Sequence, residues 1–178
     1  MTDDKSRAMM LVTTFGLGRL RPAPGTWGSL PPALIGVGLV WAGQGPLQCM
    51  IAGGPGSVWY IVMAVLIILP SLWCIRYGDM AEAIQGRKDP GFVVADETAG
   101  MALTLMCLPH FAMASPMMAT ISIGLSFLAF RMFDIAKFWP ANGFQRYAGG
   151  WGILLDDLVA GLQAAGFVWI IAAIARNM

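Results

Sequence analysis

The sequence predicts an all-α integral membrane protein, a bundle of about five transmembrane helices, on three observations. Of its 178 residues, 57% are hydrophobic and only 12% charged, roughly half the charged share of an ordinary soluble domain, and the mean hydropathy is +0.68. Several apolar runs approach the roughly 20 residues that a helix needs to cross a bilayer. The charges, thirdly, gather in the segments between those runs. The chain reads as one membrane domain, 1–178, in which 1–30 is a cytoplasmic N-terminal segment with a Gly/Pro-rich motif and 31–178 a helical bundle with cytoplasmic loops.

Lys5 and Arg7 imitate the basic start of a signal peptide, but the apolar MMLVTTF is broken at once by GLGR and lacks a small-residue cleavage pattern. The N-terminus is therefore expected to be retained. The predicted spans are 31–51, 57–75, 98–114, 116–133 and 158–175, separated by Gly, Pro and charge. The first is interrupted at Gln44, Gly45 and Pro46; the second is continuous but carries Pro70, a kink point. The third is short, with Pro109 near its end. The first and third could each be a re-entrant or tilted piece. The second and fifth are the clear apolar runs. Cys49, Cys74 and Cys107 lie far apart in apolar segments, fit no metal or redox spacing, and read as small buried hydrophobes.

With five crossings, the N-terminal segment, the loop from Arg76 to Glu97 and the loop from Arg131 to Asp157 share one face. That face holds Lys5, Arg7, Arg19, Arg21, Arg76, Arg87, Lys88, Arg131, Lys137 and Arg146, ten of the eleven basic residues, and only Arg176 lies elsewhere. The positive-inside rule makes it cytoplasmic; a re-entrant first span would divide the cations between the faces. All ten acidic residues fall on the same face. Five of them mark helix ends: Asp96 and Glu97 open the third span, Asp134 closes the fourth, and Asp156 and Asp157 open the fifth. An antiparallel bundle brings those ends to one level, which permits a helix-end active site on the cytoplasmic face.

Carboxylates at helix N-termini also serve as caps, worth about 0.3–1 kcal/mol each. Capping explains one acid per helix, but not two in succession on two helices, nor Asp134 at a C-terminal end. Carboxylates drawn together repel unless a cation sits among them, and a hard oxygen-liganded cation such as magnesium suits a set without histidine or cysteine. Asp96, Glu97, Asp134, Asp156 and Asp157 are the candidate metal ligands.

Within FRMFDIAKFWP, residues 130–140, Arg131, Asp134 and Lys137 are spaced by three and fall near one helix face. They read either as interfacial cations with aromatic anchors or as a phosphate clamp beside a metal ligand. In GLGRLRPAPGTWGSL, residues 16–30, no dinucleotide or P-loop fingerprint exists. PGTWGS is either a structural turn into the membrane or a phosphate cradle offering backbone N–H groups with Thr26 and Ser29. Arg19 and Lys88 are further phosphate-binding candidates, although a solvated loop is the default reading of Lys88 and Asp89. The chain has no CxxxxxR signature or DxD pair, and its one histidine, His110, falls toward the opposite face.

Together PAPGTWGS, KDPGFVVADETAG, FRMFDIAKFWP and GGWGILLDDLVAG, in this order, resemble the phosphatidylglycerophosphatase A family. The four blocks cover nearly all the chain outside the apolar runs. The resemblance implies a multi-pass enzyme of the bacterial inner membrane that uses Mg2+ to remove the terminal phosphate of phosphatidylglycerophosphate, giving phosphatidylglycerol, with no nucleic-acid partner. It assigns Asp96, Glu97, Asp134, Asp156 and Asp157 to the active site. Where the family usually has KPWP, this chain has Lys137, Phe138, Trp139 and Pro140. The expected roles are catalysis by Asp134 and Asp157 with Arg131 and Lys137, Asp134 being a ligand or the general base; a direct carboxylate nucleophile is the other route. The rivals are a transporter or channel with an acidic ion site, which calls for acids at mid-depth, and a phosphatase of another lipid phosphomonoester.

Overall fold

The computed structural model describes residues 2–46, 57–144 and 149–177. Among these there is no strand. Within the described residues six longer helices succeed one another: α1 (Thr2–Val12), α2 (Pro24–Trp41), α3 (Ser57–Gln85), α4 (Ala95–Met106), α5 (Pro116–Ala136) and α6 (Gly150–Arg176). Tight 3-10 turns cover Leu17–Arg19 and His110–Met113, and Ala141–Phe144 forms one further helical turn.

Local chemistry sets the boundaries. Pro24 and Pro116 stand in the first turns of α2 and α5, where a fixed φ helps and a missing N–H costs nothing. Ser115 caps α5 by accepting from the Met118 N–H at 3.2 Å. Lys137 ends α5 in the left-handed region, with φ +46. Gly149 precedes α6 at φ 67, ψ −153, a conformation open essentially to glycine alone. The Gly150 N–H then donates to Asp79 Oδ1 of α3 at 3.1 Å, so the cap of α6 comes from another helix.

Long-range bonds fix the helix directions. Gly25 of α2 lies against Glu97 and Arg131, while Trp41 at the other end of α2 donates to Thr120 near the start of α5 at 3.1 Å. Tyr60, early in α3, bonds His110 at 3.3 Å, and Asp79, late in α3, meets the start of α6. Trp169, late in α6, donates to the Cys107 carbonyl just after α4 at 2.8 Å. Helices α2 to α6 therefore alternate in direction, and His110 lies at the end opposite the acidic residues, as expected.

Among the described residues, three helices are long and apolar enough to cross a membrane: Val58–Gln85, Pro116–Ala136 and Gly150–Arg176. Their outer faces carry exposed Ile61, Val65, Ile68, Leu72, Ile121, Leu128, Ile170 and Ile174, a surface suited to lipid and costly in water. Helix α4 is different. Its 12 residues are mostly buried, including Ala99, Gly100, Met101, Ala102 and Leu105, because α2, α3, α5 and α6 all pack around it. Small residues let it approach α6: Thr104 Oγ1 donates to the Gly100 carbonyl at 2.9 Å and to the Gly161 carbonyl across the interface at 3.1 Å.

Several sequence-based boundaries shift. Helix α3 continues to Gln85, ten residues beyond the predicted 57–75. The predicted 98–114 span resolves into α4 and the His110–Met113 turn. PGTWGS is part of α2 and not a turn ahead of it: it forms the first two turns of the helix, with Gly25, Gly28 and Ser29 buried. Helix α6 starts eight residues ahead of 158, so Asp156 and Asp157 lie about two turns inside it rather than opening it. Cys74 is buried and Cys107 half-buried. Cys49, Arg146 and the end of the predicted first span lie outside the described residues.

Candidate active site

At the end of the bundle where α3 and α5 finish and α4 and α6 begin, Asp96 and Glu97 occupy the first turn of α4. Asp157 reaches them from the second turn and beyond of α6. One ligand oxygen from each of the three lies within 4.8 Å of the others. Asp96 and Asp157 are 4% and 3% exposed. Asp96 Oδ1, Glu97 Oε2 and Asp157 Oδ2 are buried without a hydrogen-bond partner.

A buried polar atom left unpaired costs ~1–3 kcal/mol, and more when charged. Burial, and then the neighbouring Glu97, push the Asp96 carboxyl well above the ordinary carboxylate range. Burial, and then Asp157, do the same to Glu97. A divalent cation would relieve all three groups at once, and an all-oxygen donor set suits magnesium or calcium. The residues present therefore fit a hard metal ion. Capping does not account for Asp156 and Asp157, because the backbone donors of the first turn of α6 lie well behind them and Asp79 takes the Gly150 N–H.

Two cations border the acids. Arg131 Nη1 is 2.6 Å from Asp134 Oδ2, one turn further along α5, and 3.9 Å from Glu97 Oε1. It also reaches Ser29 Oγ at 3.5 Å, while its Nε is buried without a partner. A side chain at Gly25 would strike Glu97 Oε1 and the Arg131 guanidinium, so glycine there lets α2 close over them. Lys137 Nζ lies 2.6 Å from Asp156 Oδ2 and 3.3 Å from Asp89 Oδ2. Burial pulls the Lys137 ammonium toward deprotonation, but the bond and charge of Asp156, then Asp89, outweigh it, and its pKa rises.

The predicted residues thus meet, but they sort themselves into two sets. Asp96, Glu97 and Asp157 converge on one another; Asp134 and Asp156 are engaged by Arg131 and Lys137, with Asp134 also bordering Asp157. Ser29 is buried, donating to the Gly25 carbonyl at 2.8 Å, and Thr26 is half-buried beside it. Arg19 and Lys88 are exposed and stand outside these contacts. Asp89 corrects the default reading of that pair: it joins the site through Lys137 instead of serving only a solvated loop. Its place in KDPG, between Lys88 and Pro90, was the available signal. Asp79 gave none, because its role is a contact between residues 71 positions apart.

A profile of the phosphatidylglycerophosphatase A family matches residues 10–172. The chain belongs to the phosphatidylglycerophosphatase A family. The phosphatidylglycerophosphatase A of Haemophilus influenzae is 31% identical over 163 residues, covering 91% of this chain and 86% of that one. The Escherichia coli phosphatidylglycerophosphatase A is 32% identical over 164 residues, covering 91% and 81%. A protein of Bacteroides thetaiotaomicron with the provisional name of a phosphatidylinositol-3-phosphatase is 28% identical over 174 residues, covering 94% and 92%. No solved structure matches the chain. The match to the phosphatidylglycerophosphatase A profile includes every acid and cation of the site just described.

Proposed function

We propose that the chain is a magnesium-dependent phosphatase that removes the terminal phosphate of phosphatidylglycerophosphate at the cytoplasmic face of a bacterial inner membrane. One observation carries the proposal: in a chain of this family, Asp96, Glu97 and Asp157 converge with unpartnered buried oxygens beside Arg131 and Lys137. Asp96, Glu97 and Asp157 hold the metal, joined by Asp134 where it borders Asp157. Bound there, magnesium would polarise the phosphoryl group and lower the pKa of a water.

The remaining work falls to the protein. Arg131 is oriented by Asp134, and its unpaired buried Nε is a donor waiting for an anion. Lys137 remains protonated and adds a second positive charge where phosphoryl oxygens gain charge. Asp156 fixes that ammonium from the buried side. Exposed Trp27, Phe138, Trp139 and Trp151 ring this end of the bundle, and such residues settle at the headgroup level. That is where a lipid phosphomonoester presents its phosphate. An ion pathway finds less support, since the acids gather at one end and not along the bundle's length.

The test is phosphate release by purified protein in detergent, with and without magnesium, from phosphatidylglycerophosphate and, in parallel, from phosphatidylinositol 3-phosphate. Magnesium-dependent release from the first, falling at least about 100-fold in folded Asp157→Asn, is expected, since losing even an outer partner of a metal ligand costs about 10–100-fold. Release that ignores divalent cations, or survives Asp157→Asn, rejects the metal site. Preference for the second lipid moves the assignment to another phosphomonoester. A folded wild type that hydrolyses neither returns the acidic site to ion transport.

A further inference from the structure

We infer that Asp89 is the exchange counter-ion of Lys137: it yields the ammonium to phosphate as phosphate binds and takes it back as phosphate leaves. The inference rests on the phosphatase reading above and adds to it a residue that governs product release. The Lys137 ammonium is shared between two unlike carboxylates. Asp156 holds it at 2.6 Å with a side chain only 4% exposed, whereas Asp89 holds it at 3.3 Å with a side chain 46% exposed. A solvated ion pair is weak and readily exchanged; a buried one is not. Of the two partners, Asp89 is the one that can let go.

The backbone that carries Asp89 is held in place while its carboxylate remains free to exchange. Its N–H donates to Glu82 Oε1 of α3 at 3.3 Å. Pro90, which follows, is buried and accepts from the Val93 N–H at 2.8 Å. The Val94 N–H donates to the Val12 carbonyl at 3.0 Å, tying the loop to the end of α1. Asp89 itself sits at φ +47, a region that aspartate tolerates better than most residues. A carboxylate is thus stationed beside Lys137 on the side facing solvent, where an incoming phosphate would arrive. A phosphate dianion forms a charge-assisted bond to the ammonium in place of Asp89, and the displaced carboxylate is hydrated at little cost because it is already half exposed.

The consequence runs against the usual effect of removing a group near an active site. Without Asp89, phosphate faces neither a competitor for Lys137 nor a neighbouring negative charge. Asp89→Asn should therefore bind inorganic phosphate about two- to fivefold more tightly, the scale of an exposed charge pair. Turnover should fall as product release slows. Binding of inorganic phosphate in the presence of magnesium, phosphate inhibition of the reaction, and turnover are measured for the wild type, Asp89→Asn and Asp89→Glu. Tighter phosphate, stronger inhibition and recovery in Asp89→Glu are expected, with most of the tightening lost when Lys137→Gln is added.

Unchanged or weaker phosphate binding in Asp89→Asn overturns the inference, as does equal tightening without Lys137. Asp89→Ser serves in the same assay should the asparagine variant fail to fold. A wild type that hydrolyses no lipid phosphate, but whose Asp89→Asn variant still gains affinity for inorganic phosphate, overturns the phosphatase reading and leaves the exchange intact.

Discussion

At the scale of single residues, the site is defined by what its carboxylates lack. Asp96 is pushed up by burial and then by Glu97, and Glu97 by burial and then by Asp157, against the lowering effect of its bond with Asp96. In the metal-free protein they hold protons more tightly than in the unfolded chain. Their contribution to stability is therefore fullest below the ordinary carboxylate range, about pH 4, and declines as pH rises toward their folded values. A divalent cation that takes the place of those protons reverses the decline. Magnesium should accordingly raise the thermal midpoint more at pH 8 than at pH 5.5, and chelation should remove the difference. The Asp96→Asn, Glu97→Gln double variant should show little magnesium effect at either pH. Equal magnesium shifts in wild type and double variant would disprove binding at these residues. Residue types alone made this cluster legible, since paired acids next to apolar runs are expensive. The partners of Asp134 and Asp156 were not legible, because spacing puts Arg131 and Lys137 near both acids and only side-chain packing decides who bonds whom.

At the scale of helices, α4 makes the site possible. Asp96 and Glu97 can meet Asp157 only if α4 and α6 run almost backbone to backbone. A Cβ at Gly100 would strike the Asp157 carbonyl and the Phe130 ring, and one at Gly161 would strike the Gly100 carbonyl. Gly100→Leu should therefore force the helices apart, costing about 1–3 kcal/mol as overpacking and separating the acids. Activity should fall further than stability. Gly166→Leu, on α6 at an exposed position where an added Cβ meets nothing within 4 Å, is the control and should be nearly silent in denaturation and phosphate-release assays. Comparable activity in the two variants would mean that the close approach does not position the carboxylates. Composition disclosed the helical bundle, and Pro and Gly marked many breaks. The enclosure of α4 was hidden: a short run of Ala, Gly and Thr reads as a weak span until its neighbours are known. PGTWGS was hard to place for a related reason, since glycines that signal a turn in isolation serve here as helix surface, Gly25 against Glu97 and Arg131 and Gly28 against Val94.

For the whole molecule, the question is whether α4 carries the chain across the membrane. At 12 residues it is about 18 Å long, short of the roughly 30 Å of a hydrocarbon core. Being wrapped by α2, α3, α5 and α6, it need not meet that thickness: protein instead of lipid surrounds its ends, and polar groups there are tolerated. The five-crossing arrangement then places Lys88 before α4 and Ala114 after it on opposite faces, both exposed. Single cysteines at these two positions, in a chain with Cys49, Cys74 and Cys107 replaced by alanine, distinguish the possibilities through labelling with a membrane-impermeant maleimide. Lys88→Cys should react only in inverted vesicles and Ala114→Cys only in intact spheroplasts. Reaction of both from one face would make α4 re-entrant and divide the basic residues between the two sides of the membrane. Reaction from opposite faces in the reverse sense would keep the crossing but turn the acidic site outward. It would then have to draw its lipid phosphate from the outer leaflet.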